Sequence, residues 1–150
     1  MIDNKISGIN YDICETQADI FEYAASQYDF NNFVSLYMKS DFCKRAFDTS
    51  YSRFQLETVL ECMDFILPEI GNQLKTVDLQ NKIPKDVANW IGFIYRALYI
   101  RTNIPSAILL EKVSLDSLYR YYPGLHTIDE EMQLDFICKD KCLNEENYYE

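Results

Sequence analysis

At 150 residues the chain has the length of one domain and can bury a sizeable core. Its 48% hydrophobic content with only four Gly and four Pro excludes a disordered or loop-dominated chain. A formal charge of −10, from 24 acids against 14 bases with no cluster of Lys and Arg, argues against direct nucleic-acid binding and against an anionic membrane surface. It favours a protein partner with a basic surface.

Taken in chain order, the apolar spacing is helical throughout and nowhere alternates long enough for a strand. Over residues 12–27, Ile13, Gln17, Ile20, Phe21 and Ala24 share one face with Tyr28. Asp29 offers a cap to a short helix carrying Phe33, Leu36 and Tyr37, and Ser40-Asp41 starts another through Phe42-Cys43 to Ala46-Phe47. Asp48-Thr49-Ser50 is a break.

Ser52-x-x-Gln55 has the capping-box form and predicts the start of a central helix carrying Leu56, Val59, Leu60, Met63, Ile66, Leu67 and Ile70, with Pro68 near its end and Gly71 as its stop. A polar connection over 71–83 leads to Ile83-Pro84-Lys85-Asp86, which opens a long helix lined by Val87, Trp90, Ile91, Ile94 and Leu98. Gly92 within it predicts close helix contact, and Arg96 and Arg101 are expected to project from the opposite side. After the 102–106 turn come a helix over Ala107–Lys112, one capped by Ser114 and ended by Tyr122-Pro123-Gly124, and a last one. Thr127-x-x-Glu130 has the form of a second capping box for that last helix, which presents Met132, Phe136 and Ile137. The expectation is a single all-α domain over 1–150, of about six to eight helices, with an acidic, frayed tail over 143–150.

Five cysteines, widely spaced and mostly in apolar helical patterns, read as free thiols in a reducing compartment. Cys138 and Cys142 lack the companions of a structural zinc site, so no metal or cofactor is expected. The N-terminus has no basic-then-apolar leader and no run is long enough to span a membrane. Together these predict a cytoplasmic protein.

His126 is the only histidine, and it lies before a helix cap rather than beside a nucleophile motif. No nucleotide-binding or hydrolase signature is present. Arg120 and His126 superficially resemble the Arg–His pair of HEPN-class ribonucleases, which performs acid–base chemistry on phosphodiesters. Pro123-Gly124 is expected to interrupt the helical frame that such a pair needs. The sequence therefore favours a non-enzymatic protein.

Twelve tyrosines point toward contact surfaces. Tyr119, Tyr121, Tyr122, Tyr148 and Tyr149 cannot all face one core. The stretch from Trp90-Ile91-Gly92-Phe93-Ile94-Tyr95-Arg96 through Tyr122-Pro123-Gly124-Leu125-His126-Thr127 resembles short uncharacterised proteins of Gram-positive gut bacteria. That resemblance implies a toxic genomic neighbour, often ADP-ribosyltransferase-like, neutralised by direct binding. The primary expectation is an antitoxin or inhibitor, with Tyr95, Arg96, Tyr99, Tyr122 and His126 as the binding residues. One alternative is a phage or mobile-element anti-defence inhibitor with an acidic, nucleic-acid-mimicking surface; another is the Arg120–His126 ribonuclease.

Overall fold

Two long helices, α1 (Ile9–Gln27) and α5 (Lys85–Thr102), lie against each other along their lengths at the centre of the computed structural model, which describes residues 5–143. Their approach is set by Gly92. A Cβ placed there would stand 2.8 Å from the Gln17 carbonyl oxygen and from Phe21 Cγ, and 2.9 Å from Ala18 Cα. Only hydrogen fits, so α5 sits directly on the α1 backbone, and Gln17 Nε2 donates to the Gly92 carbonyl at 3.0 Å.

Around this pair pack α2 (Phe30–Met38), α3 (Asp41–Ala46) and α4 (Val59–Ile70) on the α1 side. On the α5 side lie α6 (Ser106–Lys112), α7 (Leu115–Leu125) and α8 (Glu130–Asp140). The fold is all-α, with eight α-helices and no strand among the described residues, as the periodicity predicts. The buried apolar side chains form one cluster. At its α1–α2 end the Phe21 ring meets Phe30, Phe33 and Tyr37 edge-on, with centroids 5.9, 6.0 and 5.4 Å away. No helix of the described residues is long and apolar enough to cross a membrane.

Short polar side chains start several of the helices by satisfying otherwise orphaned N–H groups, though α1, α5 and α6 begin without one. Asp29 accepts from Asn32 N, Ser40 from Cys43 N and Ser114 from Ser117 N. At the other end of α5, Asn103 takes the left-handed conformation (φ 61°) and donates its N–H to Tyr99 O. The connection between α4 and α5 is pinned to the α1–α2 corner: Asp29 N donates to Lys75 O, Lys75 N donates to Asn32 Oδ1, and Tyr28 pairs with Thr76 in an isolated antiparallel bridge.

Three sequence expectations need correction. Ser52 caps only a short 3₁₀ turn, Arg53–Leu56, and α4 begins later, with Thr58 accepting from Glu61 N. Gln55 does not complete a capping box; its side chain is buried and donates to Thr49 O at 3.1 Å. In consequence α4 is peripheral, burying Cys62, Met63, Ile66 and Ile70 and leaving Leu56, Leu60 and Leu67 exposed.

The second concerns α7, which continues through Pro123 and Gly124 to Leu125, with His126 N donating to Tyr122 O. A proline near a C-terminus costs one backbone donor, and the turns on either side hold. The third concerns α8, which is capped by Asp129 accepting from Glu131 N rather than by Thr127. Its buried residues are Gln133, Leu134 and Ile137, whereas Met132 and Phe136 face outward. Of the expected tail, Leu143 is partly buried against the core and donates its N–H to Cys138 O. Residues 144–150, with Tyr148 and Tyr149, lie outside the described residues.

Candidate functional site

Helix α5 carries three of the five expected binding residues, and it turns two of them inward. Tyr95 is fully buried and donates its hydroxyl to the Val113 carbonyl at 2.6 Å. Burial pushes its phenol pKa well above the ordinary value. Arg96 is 1% exposed and faces α1, contrary to its expected outward direction. Neither can meet a partner's surface. Both lie on the face of α5 that the contacts with α1 and α6 cover, which the flanking Tyr and Arg identities do not reveal.

Arg96 is instead the hub of a buried polar network. Its Nε and Nη2 donate to Gln17 Oε1 at 3.0 and 2.7 Å. Nη1 reaches Asp48 Oδ1 at 2.7 Å and Phe47 O at 3.2 Å, and Nη2 reaches Ser106 Oγ at 3.0 Å. The carboxylate is held in turn, with Asp48 Oδ1 accepting from Ser106 Oγ and Oδ2 from Ser106 N. Tyr37 donates its hydroxyl to Gln17 Oε1. Burial disfavours the guanidinium charge, yet the facing Cys43, Asp48 and Tyr37 groups hold its pKa above the usual value. Among the described residues no buried side-chain polar atom is left without a partner. The network thus clamps α1, α2, the break after α3, α5 and the start of α6 together.

Tyr99, one turn beyond Tyr95, is half-buried, and its ring lies 5.0 Å from the Arg96 guanidinium carbon. It stands between two clefts. One, of about 760 Å³, runs past Lys39, Lys44, Glu69 and Ile108; the other, of about 280 Å³, past Asn10, Thr49 and Gln55. Glu69 at the first is occupied, accepting from Asp41 N and Phe42 N at the head of α3.

Tyr122 and His126 lie apart from these, at the end of α7. The Tyr122 ring meets Trp90 edge-on at 5.5 Å and stacks on His126 at 4.1 Å with a 10° interplanar angle. Trp90 is oriented by donating its Nε1–H to Gln133 Oε1 at 2.9 Å, and Gln133 Nε2 donates to Ile128 O. The Nδ1 of the exposed His126 lies 2.6 Å from the Tyr122 carbonyl oxygen. Arg120, also exposed, reaches Ser117 Oγ at 3.4 Å. Six residues apart, it and His126 are roughly 120° apart around the helix axis.

Beside the aromatic stack, Met132 and Phe136 lie one turn apart on the outer side of α8, exposed by 58 and 48%, and Ile128, in the turn before that helix, is exposed by 37%. Tyr121 meets Phe136 edge-on at 5.6 Å and hydrogen-bonds Asp140. Sequence spacing grouped Met132 and Phe136 with Ile137 as the residues this helix presents; of the three only Ile137 is buried, because positions one turn apart look alike until the packing face is known. Arg101 ties this edge to α5 through Glu131 at 2.6 Å and Asp135 at 2.7 Å. Comparisons with family models, with curated proteins and with solved structures give no match to this chain.

Proposed function

We propose that this protein acts by binding another protein, as an antitoxin or inhibitor that covers a basic functional surface of its partner. The observation that carries this reading is the exposed set Ile128, Met132 and Phe136 beside the Trp90–Tyr122–His126 stack. Large apolar side chains exposed at the surface lose water-exposed area when a partner covers them, at about 25 cal/mol per Å². The same stretch is acidic: Asp129, Glu130, Asp135 and Asp140 belong to it, and acids outnumber bases eight to two from Asp129 onward. A carboxylate-rich rim speeds encounter with a basic partner and turns away acidic ones. Tyr122 and His126 remain in this surface from the residues expected by sequence, with Tyr99 at a separate cleft.

The test is co-expression with the product of the adjacent gene, joined to a tagged pull-down at low and high salt. Neutralised toxicity and a stoichiometric partner support the antitoxin role. Capture of a host defence protein that salt releases supports the anti-defence alternative, since screening weakens exposed charge contacts. If no protein is retained and the neighbour's toxicity is unchanged, the proposal fails.

A further inference from the structure

The solvent face of α4 combines two properties that seldom coincide without a partner. It exposes Leu60 by 65%, Phe65 by 50% and Leu67 by 37%, with Leu56 of the preceding turn exposed by 53%. Between Phe54 and Leu74 the chain carries Glu57, Glu61, Asp64 and Glu69 and no Lys or Arg. Glu69 is engaged at the head of α3, but Glu57, Glu61 and Asp64 enter none of the ion pairs among the described residues. Leu60 and Leu67 are two turns apart and line up along the helix, Asp64 lies between them, and Glu61 precedes Phe65 by one turn. The base beside this face is Arg53, whose guanidinium lies 4.5 Å from the Phe54 ring centroid and 5.5 Å from that of Phe65. Inward, the same helix is secured by Cys62, Met63, Ile66 and Ile70, so the outer leucines are not needed to hold it in place.

We infer that this face of α4 is a docking surface for a basic amphipathic helix of a partner protein. Leucine-type side chains of such a helix pack along Leu60 and Leu67, while its flanking Lys or Arg side chains reach the unpaired carboxylates of Glu57, Glu61 and Asp64 beside them; Phe65, on the far flank, packs on Phe54. A second copy of the chain does not fit, because a two-fold contact through this face would oppose carboxylates to carboxylates. Phosphate-bearing surfaces are repelled by the same groups. The surface is separate from the α7–α8 edge: α4 packs on the α1 side and α7 and α8 on α5. Either can fail without the other.

The test titrates the full-length protein into a labelled synthetic Leu–Lys amphipathic helical peptide and follows anisotropy. A Leu–Glu counterpart and a scrambled Leu–Lys peptide serve as controls. The Leu–Lys helix is expected to bind and both controls to bind far more weakly. Leu60→Glu combined with Leu67→Glu is expected to weaken binding about tenfold or more while thermal unfolding stays unchanged. Glu61→Gln with Asp64→Asn is expected to weaken it mainly at low salt. No binding by the wild-type protein, equal binding of the scrambled peptide, or equal affinity of the Leu60/Leu67 variant overturns the inference. So does a concentration-dependent dimer in sedimentation that Leu60→Glu abolishes, which would assign the face to a second copy.

Discussion

Arg96 Nη1 lies 2.7 Å from Asp48 Oδ1, with the two side chains 1% and 9% exposed, and this ion pair joins the long helix α5 to the break after α3. Ion pairs this deep sit in a medium where either charge alone is costly, so removing one partner harms more than the pair itself contributes. Arg96→Met is expected to lower unfolding stability by about 3–5 kcal/mol in urea titrations. Combining it with Asp48→Asn is expected to recover part of that loss, giving a coupling of about 1–3 kcal/mol. Additive losses would mean that Gln17 and Ser106, rather than Asp48, anchor the guanidinium.

Gly92→Ala forces a methyl against the Gln17 carbonyl, Phe21 and Ala18, where less than 3.0 Å is available. Alanine raises helix propensity by roughly 1 kcal/mol, but two backbones must separate to admit it, at about 1–3 kcal/mol. A net loss of melting temperature is therefore expected. A gain would show that α1 and α5 slide apart freely.

The buried thiols predict an alkaline limit. Burial pushes Cys14 and Cys62 up to about 12 and Cys43 up to about 11, from an ordinary 9.0, with Arg96 opposing the rise at Cys14 and Cys43. Above pH 9 the unfolded thiols lose protons that the folded ones keep. Unfolding then releases protons, and stability falls as pH rises from 9 towards 11–12. The expected slope is about 1.4 kcal/mol per pH unit for each thiol, read from urea midpoints at a series of pH values. The same burial predicts that a thiol reagent labels exposed Cys142 rapidly in the native protein and reaches Cys14, Cys43 and Cys62 only on unfolding.

Binding and folding should separate between α5 and α8. Met132→Ala removes an exposed side chain and is expected to leave the melting temperature nearly unchanged, whereas Phe136→Ala also loses its edge-on contact with Tyr121 and is expected to cost about 0.5–1.5 kcal/mol of stability. Each should weaken partner binding by about 1–2 kcal/mol in calorimetry. Tyr95→Phe is expected to do the opposite, losing the 2.6 Å bond to Val113 O and about 1 kcal/mol of stability with no change in affinity. Reversal of that pattern would place the interface on α5 and not on the α7–α8 edge.

Much of the architecture is legible in the residues themselves. Helix class, the helices under Ile13–Ala24 and Val87–Leu98, the Asp29, Ser40 and Ser114 caps and the tight contact at Gly92 follow from local spacing and sterics. These depend on neighbours within one or two turns, which a sequence displays directly. Helix starts at Thr58 and Asp129 were obscured because Ser52 and Thr127 offer competing hydroxyls, and the choice rests on where each segment packs.

Which way a side chain points was decided by tertiary structure alone. Arg96 and Tyr95 turn inward because Gln17, Asp48, Ser106 and the Val113 carbonyl, distant in sequence, supply polar partners that make their burial tolerable. Leu60, Leu67, Met132 and Phe136 turn outward because α4 and α8 each need only one stripe to close the core. The sequence by itself determined that these residues sit on helices and that the surface is acidic. Only the packing of α1 against α5 determined which of them meet the core and which remain for another molecule, because burial depends on contacts between segments far apart in the chain.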